Sequence, residues 1–375
     1  MSCLSNYAQK YSEKEAMGLQ IFDHQLRDLQ KNLEMLSKEI SNSSHPENPQ
    51  YLLAKKVLSS PMRVQFFKLQ ALARMFEKIY DDIPEITSLK ELFKKYEDLI
   101  GRVDLQEGLE KSVKPLNIEL LSKHFENKKI AAMKALQAEL EKTTMLTNPK
   151  DFIKEIEKKL HSIARWKEIN EASSKEEKQK SVHKELKKIA KHLAKEAKKL
   201  EEKIENKEFT QTDIELNFHE LRRRLRWLVI EVQSLSGLIK YETNEHRSPS
   251  TETLYQKMAL ENPNLINSSF LNVIPSEIQH PILIPKVPLA MISELVSQIG
   301  YKKDMAEKQI YTLEALNALN INAQETQEIM NKLNEKLKIT EIVDHTALSS
   351  RYQELIQTSN LLTQFAESLE ILNDL

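Results

Sequence analysis

Apolar residues recur every three or four positions along most of this chain, which is the pattern of amphipathic α-helices. Proline and clusters of Ser and Asn separate the runs. The stretch 242–288, which contains several prolines, is the one long section without a helical pattern. The pattern predicts helices over residues 13–40, 61–80, 85–114, 116–143, 149–169, 176–207, 217–241, 289–320, 323–338 and 345–373.

Composition supports an all-α fold built from long amphipathic helices. The chain of 375 residues has 5 glycines, where average usage would give about 26. These glycines, at 18, 101, 108, 237 and 300, never cluster, which excludes glycine-rich phosphate loops. A single cysteine, Cys3, excludes an internal disulfide framework. The absence of a leader pattern and of an apolar run of roughly 20 residues predicts a cytoplasmic protein that does not span a membrane.

The predicted helix 176–207 carries a row of lysines opposite its apolar stripe. At about 100° per residue, these lysines lie within about 60° of Lys184. The row would extend for about 22 Å at 1.5 Å per residue. Ordinary solvated helix surfaces mix both signs of charge, so this row indicates anion binding, with a plain solvated surface as the alternative. We call it the lysine face: Lys184, Lys187, Lys188, Lys191, Lys195, Lys198 and Lys199.

The predicted helix 217–241 carries a second cationic cluster. His219, Arg222, Arg223 and Arg226 share one face, opposite an apolar stripe. Like charges one turn apart repel by roughly 0.2–0.5 kcal/mol per pair. Either carboxylates from a neighbouring helix or an anionic ligand must therefore stabilise the cluster. Arginine is the side chain best suited to phosphate oxygens, and a histidine would add a pH-dependent donor.

A weak internal repeat relates the two halves of the chain. A long helix, a basic helix and a helix interrupted at an Ile-Gly pair occur in this order twice, with Gly101 in the first pass and Gly300 in the second. The repeat predicts two similar helical bundles, 1–169 and 170–375, related by a pseudo-twofold axis and forming one domain. We also expect the lysine face and the arginine cluster to border one common groove, because a short connection favours antiparallel neighbours.

The basic helices resemble the CHAD family, the conserved histidine α-helical domain. The family pattern H-x-x-R-x-x-x-[RK]-x-x-R is matched in the second half by His219, Arg222 and Arg226, while Val229 stands at the position of its last arginine. The following L-G-x-x-[RK]-D pattern is matched by Gly300, Lys303 and Asp304. The resemblance implies a non-catalytic protein that binds inorganic polyphosphate, without a cofactor or metal, in a basic groove between two bundles. Such a ligand would also place the protein on polyphosphate granules.

The first half departs from the family pattern. Arg63 aligns with the first arginine, but Ser60 stands at the histidine position and Phe67 at the next basic position, with Lys68 one place later. Asp104 is one residue closer to its glycine than the pattern requires. Arg63 and Lys68 are therefore weaker candidates for the groove, and charge-removing changes in the second half should weaken binding more.

Other interpretations remain open. Lys303 and Asp304 can form a local ion pair at a helix end, and the arginine cluster can belong to a structural ion-pair network. The main alternative function is a helical scaffold or adaptor that recognises an acidic protein. Nucleic-acid binding is disfavoured, because few aromatic residues accompany the basic faces. The E-x-E-x-K motif at 155–159 matches triphosphate tunnel enzymes, yet it lies in a predicted helix, where its two glutamates point about 160° apart.

Overall fold

The fold is seen in a computed structural model. It describes residues 11–12, 15–42, 51–81, 83–209, 219–242, 248–268, 271–338 and 345–373. These residues are almost entirely helical, so the all-α prediction is confirmed.

The predicted helices occur in the predicted order, and the structure adds a short helix before residue 61, where none was predicted. The first half contains α1 (Met17–Ser41), α2 (Leu52–Leu58), α3 (Met62–Tyr80), α4 (Pro84–Val113), α5 (Glu119–Glu141), α6 (Pro149–His161) and α7 (Ala164–Glu171). The second half contains α8 (Lys175–Glu205), α9 (Glu220–Ser234), α10 (Pro249–Glu261), α11 (Lys286–Ala318), α12 (Ala323–Lys336), α13 (His345–Ser359) and α14 (Leu361–Asn373). Short 3₁₀ turns lie at Lys114–Leu116 and Leu265–Asn267.

Local sequence signals explain several helix ends. The lysine-face helix α8 begins at a capping box, in which the Ser174 hydroxyl accepts the N–H of Glu177 and the Glu177 carboxylate accepts the N–H of Ser174. The predicted helix 345–373 is divided in two because Asn360 adopts a left-handed conformation with φ 52°, which asparagine tolerates better than most residues. The predicted helix 149–169 is likewise divided at Ile163, whose backbone is extended.

The prediction for 242–288 is wrong in part. Helix α10 lies within this stretch, and a short parallel pair of strands closes it: β1 (Ile239–Glu242) pairs with β2 (Ile282–Pro285). The side-chain amide of Asn373 extends the pair, since it accepts the N–H of Leu283 at 3.0 Å and donates to its carbonyl at 2.9 Å. The arginine helix α9 therefore ends at Ser234 rather than near 241, and Gly237, with φ +89°, makes the turn into β1.

The predicted interruptions at the Ile-Gly pairs are also wrong. Helix α4 continues through Gly101 and α11 continues through Gly300. Neither glycine ends a helix. At both positions the absence of a side chain instead lets an arginine from a neighbouring helix approach the backbone closely.

The core is continuous across the two predicted halves. It includes fully buried residues of α1, such as Phe22, and of α14, such as Phe365. A second apolar cluster joins the carboxyl-terminal parts of α4 and α11, with Leu109 and Leu316 among its buried members. Helices α3 and α9 pack against each other, α4 packs on α3, and α11 packs on α9. These four helices enclose the site described next.

The division at residue 169 and the pseudo-twofold axis stay predictions. Within the described ranges, every helix is too short or too polar to cross a lipid bilayer.

Candidate functional site

A cavity of about 690 Å³ lies between the two halves of the chain. Helices α3 and α4 supply one side and α9 and α11 the other. Its walls carry eight arginines and lysines against five carboxylates, an excess of three positive charges. The cationic residues are Arg63, Arg74, Lys94, Arg222, Arg223, Arg226, Lys303 and Lys308, and the acidic residues are Glu97, Asp98, Asp104, Asp304 and Glu307. His219, at the start of α9, also lines the cavity.

Two equivalent contacts of arginine with glycine border the cavity. A Cβ atom built on Gly101 would lie 2.6 Å from Arg63 Nη2, and one built on Gly300 would lie 2.7 Å from Arg222 Nε. In each half, therefore, an arginine of the basic helix lies against the backbone of the following long helix at a position that only glycine allows. The sequence alignment of Arg63 with Arg222 thus corresponds to a shared local geometry.

The two arginines differ in their charge partners. Arg63 donates from Nε and Nη2 to Glu97 at 3.2 and 3.1 Å, and from Nη1 to Asp104 at 2.7 Å. Burial raises the pKa of the Glu97 carboxyl, although Arg63 opposes this shift. Two carboxylates therefore surround Arg63, and most of its donors are used.

Arg222 forms no ion pair with any residue that the structure describes, and its buried Nε has no hydrogen-bond partner there. Burial lowers the pKa of its guanidinium, while Asp304 and Glu307 oppose this shift from a distance. The carboxylates of Asp304 and Glu307 instead pair with Lys303, at 3.3 and 2.8 Å. Lys303 lies in the middle of α11, so this is a local pair, although not the predicted pair at a helix end.

Arg226 is held by an aromatic ring. Its guanidinium carbon lies 4.1 Å from the centroid of the Phe67 ring. Burial lowers the pKa of Arg226 to about 10, and the positive charges of Arg222 and Arg63 add to this shift. The guanidinium is therefore still protonated at neutral pH. Among the described parts of the chain, Arg226 too has no carboxylate within ion-pair distance.

Arg74 was missed by the sequence analysis. It lies on α3 with its guanidinium carbon 4.5 Å from the centroid of the Trp227 ring, and its buried Nε has no partner among the described residues. Burial lowers the pKa of its guanidinium. A signal was available, because Arg74 is a single charge within a run of buried apolar residues, 71–76.

We call Arg74, Arg222 and Arg226 the arginine trio. They share the cavity, and none of them forms an ion pair with a carboxylate of the described chain, although Glu231 opposes the lowering of the Arg74 pKa from a distance. The Lys308 ammonium also lacks an ion pair with a described residue. Arg223, by contrast, is 62% exposed and pairs with Glu220 at 2.5 Å.

The structure does not bring the lysine face to this cavity, so the prediction of one common groove is wrong. Lys184, Lys188, Lys191 and Lys195 are exposed on α8. Lys191 borders a separate cavity with Glu370 of α14, and the Lys188 ammonium lies 5.2 Å from the centroid of the Tyr80 ring. The reason is that the apolar stripe of α8 packs into the core, which directs the opposite face away from α9.

Lys68 is also misplaced by the sequence analysis. It is partly buried beside Asp28 of α1, outside the cavity, and burial lowers the pKa of its ammonium while Asp28 opposes this shift. The apparent one-place shift from the family pattern therefore turns Lys68 to the other side of α3.

Among the described residues, three or more His, Cys, Asp or Glu side chains are nowhere grouped as a metal ion would require. Glu155 and Glu157 lie within α6, as predicted, so they do not form the strand motif of triphosphate tunnel enzymes. Comparison with protein-family models, with curated proteins and with solved structures finds no match. The resemblance to the CHAD family therefore stays a proposal.

Proposed function

We propose that this protein binds inorganic polyphosphate, or a similar linear polyanion, in the cavity between its halves and does not hydrolyse it. One observation carries the proposal: the arginine trio lies in a shared cavity without carboxylate partners in the described chain. Partly buried guanidiniums without a counter-charge are costly in the free protein. A phosphate chain would supply that charge through charge-assisted hydrogen bonds.

The dimensions and the balance of charge support a binding role. A volume of about 690 Å³ lies within the usual range for ligand sites, about 300–1,000 Å³. An excess of three positive charges suits an anion rather than a neutral ligand. Binding should be largely electrostatic and should weaken steeply with salt, as phosphate contacts in nucleic-acid complexes do.

A titration tests the proposal. Wild-type protein is titrated with long-chain polyphosphate, single-stranded DNA and heparin at matched charge and near-physiological salt. We expect polyphosphate to bind most tightly, and the double variant R222A/R226A to lose this preference. Equal affinity for the three polyanions, or unchanged binding by the double variant, would contradict the proposal. Incubation with polyphosphate and Mg²⁺ or Mn²⁺ should release no phosphate above a protein-free control.

The alternative, an adaptor for an acidic protein partner, is favoured by a different observation. Lys184, Lys187, Lys191 and Lys195 have no ion pair with any residue in the described ranges. An acidic peptide could neutralise this row. Binding of poly-glutamate that is lost when the lysine face is replaced by glutamine, while polyphosphate binding persists, would support this second role. Retained poly-glutamate binding would exclude it.

A further inference from the structure

Guanidiniums in the cavity are held in two different ways. Arg63 donates hydrogen bonds to carboxylates from its Nε, Nη1 and Nη2 atoms. Aromatic rings contact two members of the arginine trio. The guanidinium carbon of Arg226 lies 4.1 Å from the centroid of the Phe67 ring, and that of Arg74 lies 4.5 Å from the centroid of the Trp227 ring. The guanidinium carbon of Arg63 also lies near the Phe67 ring, but at 5.5 Å from its centroid it is farther away than that of Arg226.

The two kinds of contact differ in how much of the arginine's charge and how many of its N–H donors stay available to a ligand. A carboxylate cancels the positive charge and accepts the N–H groups that a phosphate would need. A ring attracts the cation through its quadrupole, without cancelling the charge. It also takes none of the five in-plane N–H donors of the guanidinium. An arginine held by a ring is therefore both ordered and available for an anion.

The rings themselves are well fixed. Phe67 is 9% exposed and packs with Ala71 and Ile230 in a small apolar cluster between α3 and α9, and Trp227 packs against this cluster. The two ring centroids are 5.9 Å apart in an edge-to-face arrangement, which is a favourable geometry for aromatic pairs. The apolar cluster therefore forms a rigid support for the charges that border the cavity.

We propose that Phe67 and Trp227 are positioning residues of the anion site, which hold Arg226 and Arg74 in place without neutralising them. This inference rests on the proposed function. It also reinterprets Phe67, which stands where the family pattern places a basic residue. A cation at position 67 would repel Arg226 and Arg63, whereas the Phe67 ring stabilises Arg226, so position 67 contributes support rather than charge.

A double-mutant cycle tests the role of Phe67, with affinity for inorganic tripolyphosphate as the readout. Phe67→Leu removes the ring and keeps an apolar side chain, and should weaken binding about three- to thirty-fold. Phe67→Tyr keeps a ring and should bind within about twofold of wild type. In an Arg226→Ala background, Phe67→Leu should have no further effect, because the arginine on which the ring acts is absent.

Matched controls separate positioning from general packing. Phe66→Leu makes the same change one residue earlier, in a fully buried ring that stacks on Tyr96 away from the cavity, and should lower stability without altering affinity. Phe67→Leu should keep its effect in an Arg63→Ala background, because carboxylates hold Arg63. Thermal unfolding of each variant shows that the fold is intact.

The outcomes distinguish this inference from the proposed function. If wild type does not bind tripolyphosphate, or Arg226→Ala binds as well as wild type, the proposed function fails. If Arg226→Ala loses affinity but Phe67→Leu does not, or if the two changes are additive, only the positioning role fails. Trp227→Leu with Arg74→Ala forms an independent cycle, and additive losses there would likewise overturn the role of Trp227.

Discussion

Replacing Gly300 by alanine moves the Arg222 guanidinium without removing its charge. The new Cβ would lie 2.7 Å from Arg222 Nε and 2.8 Å from Nη2, so the two groups cannot keep their present positions. The guanidinium is the far end of a flexible side chain, so it should shift while the backbone of α11 stays in place. The change therefore alters the position of a binding group with little strain on the fold.

Gly300→Ala should raise the stability of the fold and lower the affinity for polyphosphate. Alanine in place of glycine within a helix stabilises by roughly 0.5–1 kcal/mol. A charge-assisted hydrogen bond to phosphate contributes about 1.5–3 kcal/mol. Displacing Arg222 should therefore weaken polyphosphate binding by roughly tenfold to a hundredfold, in a protein that is as stable as wild type or slightly more so.

Urea unfolding and calorimetric titration at fixed salt measure the two effects. Gly108→Ala, at a glycine that also lines the cavity but whose Cβ would meet no atom within 4 Å, measures the stability gain without displacing an arginine. Gly101→Ala is the counterpart in the first half. It should displace Arg63 from Glu97 and lower stability, because a buried carboxylate would lose its partner. If Gly300→Ala binds polyphosphate as tightly as wild type, the position of Arg222 over Gly300 has no part in binding.

Three further predictions concern charge. Arg222→Ala and Arg226→Ala should each weaken polyphosphate binding about tenfold or more. Arg63→Ala should weaken it only slightly, because carboxylates already neutralise Arg63. Equal losses in the binding isotherms of the three variants would show that both halves share the ligand evenly. Replacing the lysine face with glutamine should leave the affinity for tripolyphosphate within about twofold, and a large loss would place the ligand on α8 instead. Burial, with the neighbouring Glu205, raises the pKa of Glu201 from 4.5 to about 7, so wild type should lose stability as pH rises through this interval. Glu201→Gln should remove that loss, about 3 kcal/mol by urea unfolding at pH 8, and parallel stability–pH curves for the two proteins would contradict this.

Helical periodicity predicted most of the fold because one apolar face is enough to define an amphipathic helix. It failed where backbone conformation rather than side-chain pattern decides, as at Asn360 and Ile163, and where a short helix and two strands lie among prolines. The repeat pairing of Arg63 with Arg222 was correct in its local geometry, since both lie over a helical glycine.

The site was predicted less completely, because it depends on contacts between distant helices. Sequence alone could not show that Glu97 and Asp104 neutralise Arg63 while Arg222 stays unpaired. Nor could it show that α8 turns its lysines away from α9, since helical spacing defines the faces of one helix but not their orientation relative to another. Arg74 belongs to no cluster of charges in the sequence, because it stands alone in a run of buried apolar residues.

The position of a bound phosphate chain decides whether the cavity is the binding site. A crystal structure of the complex with tripolyphosphate should show phosphate oxygens within about 2.7–3.2 Å of at least two members of the arginine trio. Phosphate bound to the lysine face, with the cavity empty at saturating ligand, would contradict the proposed function.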